Sequence, residues 1–104
     1  MMINPIMDRF VGYGELLQLT TSDNRLLSTH FSLFTGLYIH WQYNGFESPF
    51  KITRRELMNC SKIASIATYH KCIRELSAYG YIRYQPSYHP QKGSMIDWPV
   101  NWEI

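Results

Sequence analysis

The apolar positions of this chain keep two rhythms, and the change from one to the other sets out the elements. Leu27, Phe31, Phe34, Tyr38 and Trp41 recur at spacings of four, three, four and three, which is one face of a 3.6-residue helix. Leu26, His30, Leu33 and Leu37 form a second stripe beside it. Together the stripes exceed the arc that an amphipathic helix ordinarily buries. Thr21 or Ser22 is placed to cap this helix, with Asp23 favouring the positive end of its first turn. Asn44-Gly45 ends it, since Gly accepts the left-handed cap conformation. The stretch 1–21 is weakly patterned and interrupted by Pro5, Gly12 and Gly14. It reads as an N-terminal arm, either docked through Leu16-Leu17 or disordered.

Beyond the Ser48-Pro49 turn the rhythm changes. Phe50 to Ile52 alternates apolar and polar, a very short strand. Thr53 with Glu56 three residues on is a capping-box signature. It opens a short helix, RRELMNC, with Leu57 and either Met58 or Cys60 facing inward. Ser61 to Ala64 is a turn. Ser65 caps a second helix over 66–79, which Gly80 stops. On that helix Tyr69, Cys72 or Ile73, and Leu76 fall inward, while Ala67, His70, Lys71 and Arg74 share the outer face. YIRYQ then alternates as a strand, SYHPQKG is a loop, and SMIDW returns as the partner strand. The pattern predicts a mainly α fold with a small β-hairpin, organised as one domain over 22–104 behind the arm.

Composition adds exclusions. The chain has 104 residues and is 45% hydrophobic, enough for one ordinary core. No apolar run is long enough to span a bilayer, and the N-terminus lacks the pattern of a secretion signal. A cytoplasmic location without membrane contact is expected. Cys60 and Cys72 are too few for a disulfide scaffold and are expected to be buried free thiols. Neither the four histidines nor the cysteines approach metal-ligand spacing. There is no Gly-rich phosphate loop, no nucleophile elbow and no plausible carboxylate pair. No metal, no cofactor and no enzymatic activity are expected.

Charge is more informative in its distribution than in its sum. The net charge is +2, but residues 51–92 hold eight cations and two anions, while the remainder holds two cations and six anions. One basic face that meets a polyanion would produce this asymmetry; ordinary solvated charge is the plainer explanation.

Two closely spaced helices followed by a glycine stop and a basic hairpin resemble a winged helix-turn-helix. The resemblance spans Asp23 to Trp98, and its specific part is Thr53 to Ile82. Thr68-Tyr69-His70-Lys71, and Tyr84 with Pro86, Ser87 and Tyr88, look like the recognition helix and wing of small DNA-binding proteins carried by phages and mobile elements, some regulatory and some in replication initiation. The resemblance implies double-stranded DNA as the partner, read by helix 66–79 in the major groove, with the wing 81–98 on the backbone or minor groove.

Residue chemistry gives the same face independently. Ser65, Ala67 and Thr68 are small, which lets a helix N-terminus approach base edges. Ala67 or the Thr68 methyl suits a thymine methyl, and Lys71 or Arg74 suits a guanine edge, with His70 beside them. Arg54 and Arg55 at a helix start, and Lys62 in the turn, suit phosphates. Tyr88, His89 and Lys92 are the wing candidates. Ile66 reads equally as a core neighbour or a groove-facing apolar group. The surplus apolar stripe of the first helix, Leu26, His30, Leu33 and Leu37, suggests a homodimer that sets two recognition helices about 34 Å apart. Transcriptional regulation is the expected role. A replication-initiation or mobile-element accessory role, and a winged-helix protein–protein adaptor, are the alternatives.

Overall fold

The computed structural model describes Gln18, residues 20–87 and residues 93–99. Among these residues there are three helices, α1 (Ser28–Tyr43), α2 (Arg54–Ser61) and α3 (Ile66–Ala78). Three short strands, β1 (Phe50–Ile52), β2 (Arg83–Gln85) and β3 (Ser94–Asp97), form an antiparallel sheet in the order β1-β3-β2. This small mixed arrangement is compatible with a winged helix. No described helix is long and apolar enough to cross a membrane. The expected arm lies almost wholly outside the described residues.

The expected start of α1 at Thr21 or Ser22 is displaced by local polar chemistry. The Asp23 carboxylate accepts from the Arg25 amide at 3.1 Å and from the Arg25 guanidinium at 2.9 and 2.7 Å. Such a side-chain turn competes with helix propagation, so the cap of α1 lies five or six residues later, at Leu27. Its cap is unusual. The Leu27 amide donates to His30 Nδ1 at 2.8 Å, so an imidazole satisfies one of the donors exposed at the helix start. The accepting Nδ1 leaves the ring proton on Nε2, which lies 3.3 Å from Glu75 Oε1.

The other helix signals act as the sequence predicts, with one exception. Thr53 Oγ1 accepts from the Glu56 amide at 3.3 Å, but the Glu56 carboxylate turns toward His40 Nε2, 3.6 Å away, rather than back to the cap. Ser65 Oγ accepts from the Thr68 amide at 3.2 Å. Gly80 takes a φ of 87°, which lets the Tyr81 amide reach the Leu76 carbonyl at 2.9 Å and closes α3.

The surplus apolar surface of α1 is consumed inside the chain, which corrects the expected dimer face. His30, Leu33 and Leu37 are 1%, 0% and 0% exposed, and Leu26 packs partly buried against the core. The helix is enclosed on two sides. On one, α2 and α3 approach it: an added Cβ on Gly36 would lie 3.1 Å from Leu57 Cδ1, Ser32 Oγ donates to the Ser61 carbonyl, and Cys72 lies 3.4 Å from Thr29. On the other, Phe34 and Trp41 meet the Trp98 ring at centroid distances of 5.6 and 5.5 Å. A helix apolar on nearly all sides is buried on nearly all sides, and here a single chain supplies both covers. The same geometry corrects Cys60. Leu57 and Ser61 are the buried residues of α2, one turn apart, so Cys60 is rotated away and only half-buried, while Cys72 is buried.

The predicted hairpin gains a strand. Ile96 of β3 stands opposite both Phe50 of β1 and Tyr84 of β2, so the two halves of the wing are tied to the chain just ahead of α2. Gly93 makes this possible: an added Cβ would fall 2.5 Å from the Ile52 carbonyl oxygen.

Candidate nucleic-acid interface

The orientation of α3 follows from what it buries. Tyr69, Cys72, Ile73 and Leu76 anchor it in the core at 3% exposure or less. Residues opposite that stripe must face outward, and Ala67, Lys71 and Arg74 are exposed. His70 is half-buried, its ring 5.2 Å from that of Tyr69. Thr68 is half-buried on the side facing α1. Ser65 is exposed, but its hydroxyl oxygen is engaged as the cap.

The remaining candidates divide between the two flanks of α3. Arg54 and Arg55, both exposed, stand in the first turn of α2. With Tyr69, His70 and Tyr84 they line a groove of 350 Å³ between α2, α3 and the sheet. Burial pushes the Tyr69 phenol well above its usual range, with Tyr84 adding to the shift and Arg54 opposing it. Lys62 lies on the other flank, where it lines a hollow of 380 Å³ with Ser65, Thr68 and the first turn of α1. It occupies a left-handed conformation, φ 64°, uncommon for a residue with a side chain, and lets the Ile63 amide bond back to the Met58 carbonyl. Tyr88, His89 and Lys92 lie outside the described residues.

Among the described residues, Arg54, Arg55, Lys62, Lys71 and Arg74 have no carboxylate within 4 Å. The two acids of this stretch are turned elsewhere. Glu56 faces His40. Glu75 lies against His30 and accepts from the Tyr79 hydroxyl at 3.1 Å. Five exposed cations on and around α3 therefore stand without an ion-pair partner among the described residues.

A polar network that the sequence reading did not anticipate locks the end of α3. Tyr81 donates to Asp23 Oδ2 at 2.8 Å, and the Arg25 guanidinium sits 4.0 Å above the Tyr79 ring. Hydrogen bonds from Arg25 hold the Asp23 carboxyl well below the usual carboxylate range. Burial, with the bond to Asp23, pushes Tyr81 up to about 12. The bond to Glu75 is the largest cause of the raised Tyr79 phenol. These contacts join the lead-in to α1 to the turn between α3 and β2. The pairing across 58 residues carries no local sequence signal.

Ile66 is the other residue whose position the pattern left open. It is 48% exposed, because it precedes the first inward position of α3. Among the described residues no group of three His, Cys, Asp or Glu side chains is arranged to hold a metal ion. In comparisons with known proteins, no family model, no curated protein and no solved structure matches the chain.

Proposed function

We propose that this protein is a sequence-specific double-stranded DNA-binding protein of the winged helix-turn-helix type, acting as a transcriptional regulator. The first turns of α3 enter the major groove. Arg54, Arg55 and Lys62 hold phosphates on either flank, and the wing over 81–98 lies on the backbone or minor groove. The observation that carries this reading is the set of exposed cations without ion-pair partners, Arg54, Arg55, Lys62, Lys71 and Arg74, on and around a helix that starts with exposed Ser65, Ile66 and Ala67. Such cations attract phosphates without regard to sequence, and the exposed start of α3 is the part of a recognition helix that meets base edges.

The test is selection of bound duplexes from a random-sequence pool. Enrichment of a defined motif is the expected result. Retention of duplexes without enrichment would contradict sequence specificity, and failure to retain any duplex at low salt would contradict DNA binding.

A further inference from the structure

The first turn of α3 presents hydrocarbon where a groove-reading helix meets its bases. Ile66 is 48% exposed, and Ala67 beside it is exposed. The fold does not call for an isoleucine there. A β-branched residue is a poorer helix former than most, and apolar surface left in water contributes nothing to the core. The polar side chains beside them are engaged or turned aside. Ser65 Oγ accepts from the Thr68 amide, and the Thr68 side chain is half-buried on the side of the hollow shared with Ser28, Thr29 and Ser32 of α1. The exposed cations Lys71 and Arg74 stand further along the helix, and Lys62 shares the hollow at its start with Ser65 and Thr68.

In the major groove the base edges offer hydrogen-bonding groups and one apolar group, the thymine C5-methyl. A first turn that offers hydrocarbon, set among cations that attract a polyanion, is complementary to that group. We infer that Ile66 and Ala67 form a methyl-reading surface, so that the bound duplex carries thymine where the start of α3 meets the groove. This rests on the duplex-binding reading above and specifies what the site selects.

Replacing thymine by uracil removes the methyl and leaves the hydrogen-bonding edge unchanged. In the selected duplex, each thymine is replaced singly and binding is measured by fluorescence anisotropy. Uracil at one or two positions is expected to weaken binding about fourfold, the equivalent of about 0.8 kcal/mol for one buried methyl group, with little change elsewhere. Ile66→Ala is expected to weaken binding to the thymine duplex and to remove most of its advantage over uracil at those positions. Equal binding of wild type to every thymine and uracil duplex would overturn the inference while leaving DNA binding intact. An undiminished uracil effect in Ile66→Ala would overturn the assignment to this side chain. If no duplex is retained at any salt concentration, the DNA-binding reading fails and the inference with it.

Discussion

Leu33→Ala is expected to destabilise the protein strongly without involving a second subunit. Leu33 is 0% exposed within one chain and belongs to the cluster that includes Leu37, Leu57, Ile73 and Leu76, each also 0% exposed. Neighbours packed this closely from three helices have little freedom to collapse into the space left behind. The loss therefore combines the transfer free energy of the deleted atoms with that of a cavity, about 3 kcal/mol from comparable leucine truncations. With a urea dependence of about 2 kcal/mol per molar, typical of small domains, the unfolding midpoint falls by about 1.5 M. Trp41 and Trp98, 1% and 3% exposed, report the transition by fluorescence. Leu27→Ala is the matched control. It belongs to the neighbouring stripe of the chain's apolar pattern but is 59% exposed, and its effect should stay within about 0.5 kcal/mol. Equal small shifts for the two variants would return Leu33 to the surface and refute the enclosure of α1.

Gly93→Ala should destabilise by at least about 1–3 kcal/mol in the same assay, because φ is 65° and the added Cβ meets the Ile52 carbonyl. Gly45→Ala, with a similar φ of 70° but open space around it, should cost less, and equal losses would remove the role given to the close approach of Gly93 to β1. Asp23→Asn should lower stability at neutral pH by an amount that depends on pH. The Asp23 carboxyl lies below its usual range, so its stabilisation is complete above an unfolded value of about 3.9 and is lost as pH falls toward the folded value. The gap between wild type and variant should narrow below about pH 4, and a constant gap down to pH 2 would count against the Arg25 and Tyr81 pairing. Lys71→Ala should cost about 1–3 kcal/mol on the selected duplex and relax preference at one position; equal losses on selected and random DNA would place Lys71 on a phosphate instead.

Local chemistry was readable wherever one residue decides the outcome. Thr53 and Ser65 cap their helices, Gly80 stops α3, and Tyr69, Ile73 and Leu76 keep the inward spacing. Most failures share a cause, which is that the deciding partner lies far away in the chain. The start of α1 is the exception, moved by the local Asp23–Arg25 turn. Glu56 leaves the reciprocal half of its capping box for His40. The stripe of His30, Leu33 and Leu37 looked like an interface because periodicity shows how much apolar surface exists, not what covers it. Covering it required Gly36 to admit Leu57 and Trp98 to fold back from the sheet onto Phe34 and Trp41. The candidate site was legible as a face, since Ala67, Lys71 and Arg74 follow from helical spacing once the buried stripe is known. Its lack of compensating acids was not legible, because Glu56 and Glu75 are close in sequence to the cations and are turned away only by tertiary contacts.

The salt dependence of duplex binding tests the central claim most directly. Five described cations on and around α3 have no ion-pair partner among the described residues. If three to five of them each neutralise one phosphate, the slope of log K against log salt should be roughly −3 to −5. The charge-removing variant Arg54→Ala/Arg55→Ala should make that slope shallower by about 2. A slope in this range for wild type is the result the account predicts. A flat titration, or a slope unaffected by removing the two arginines, would contradict it.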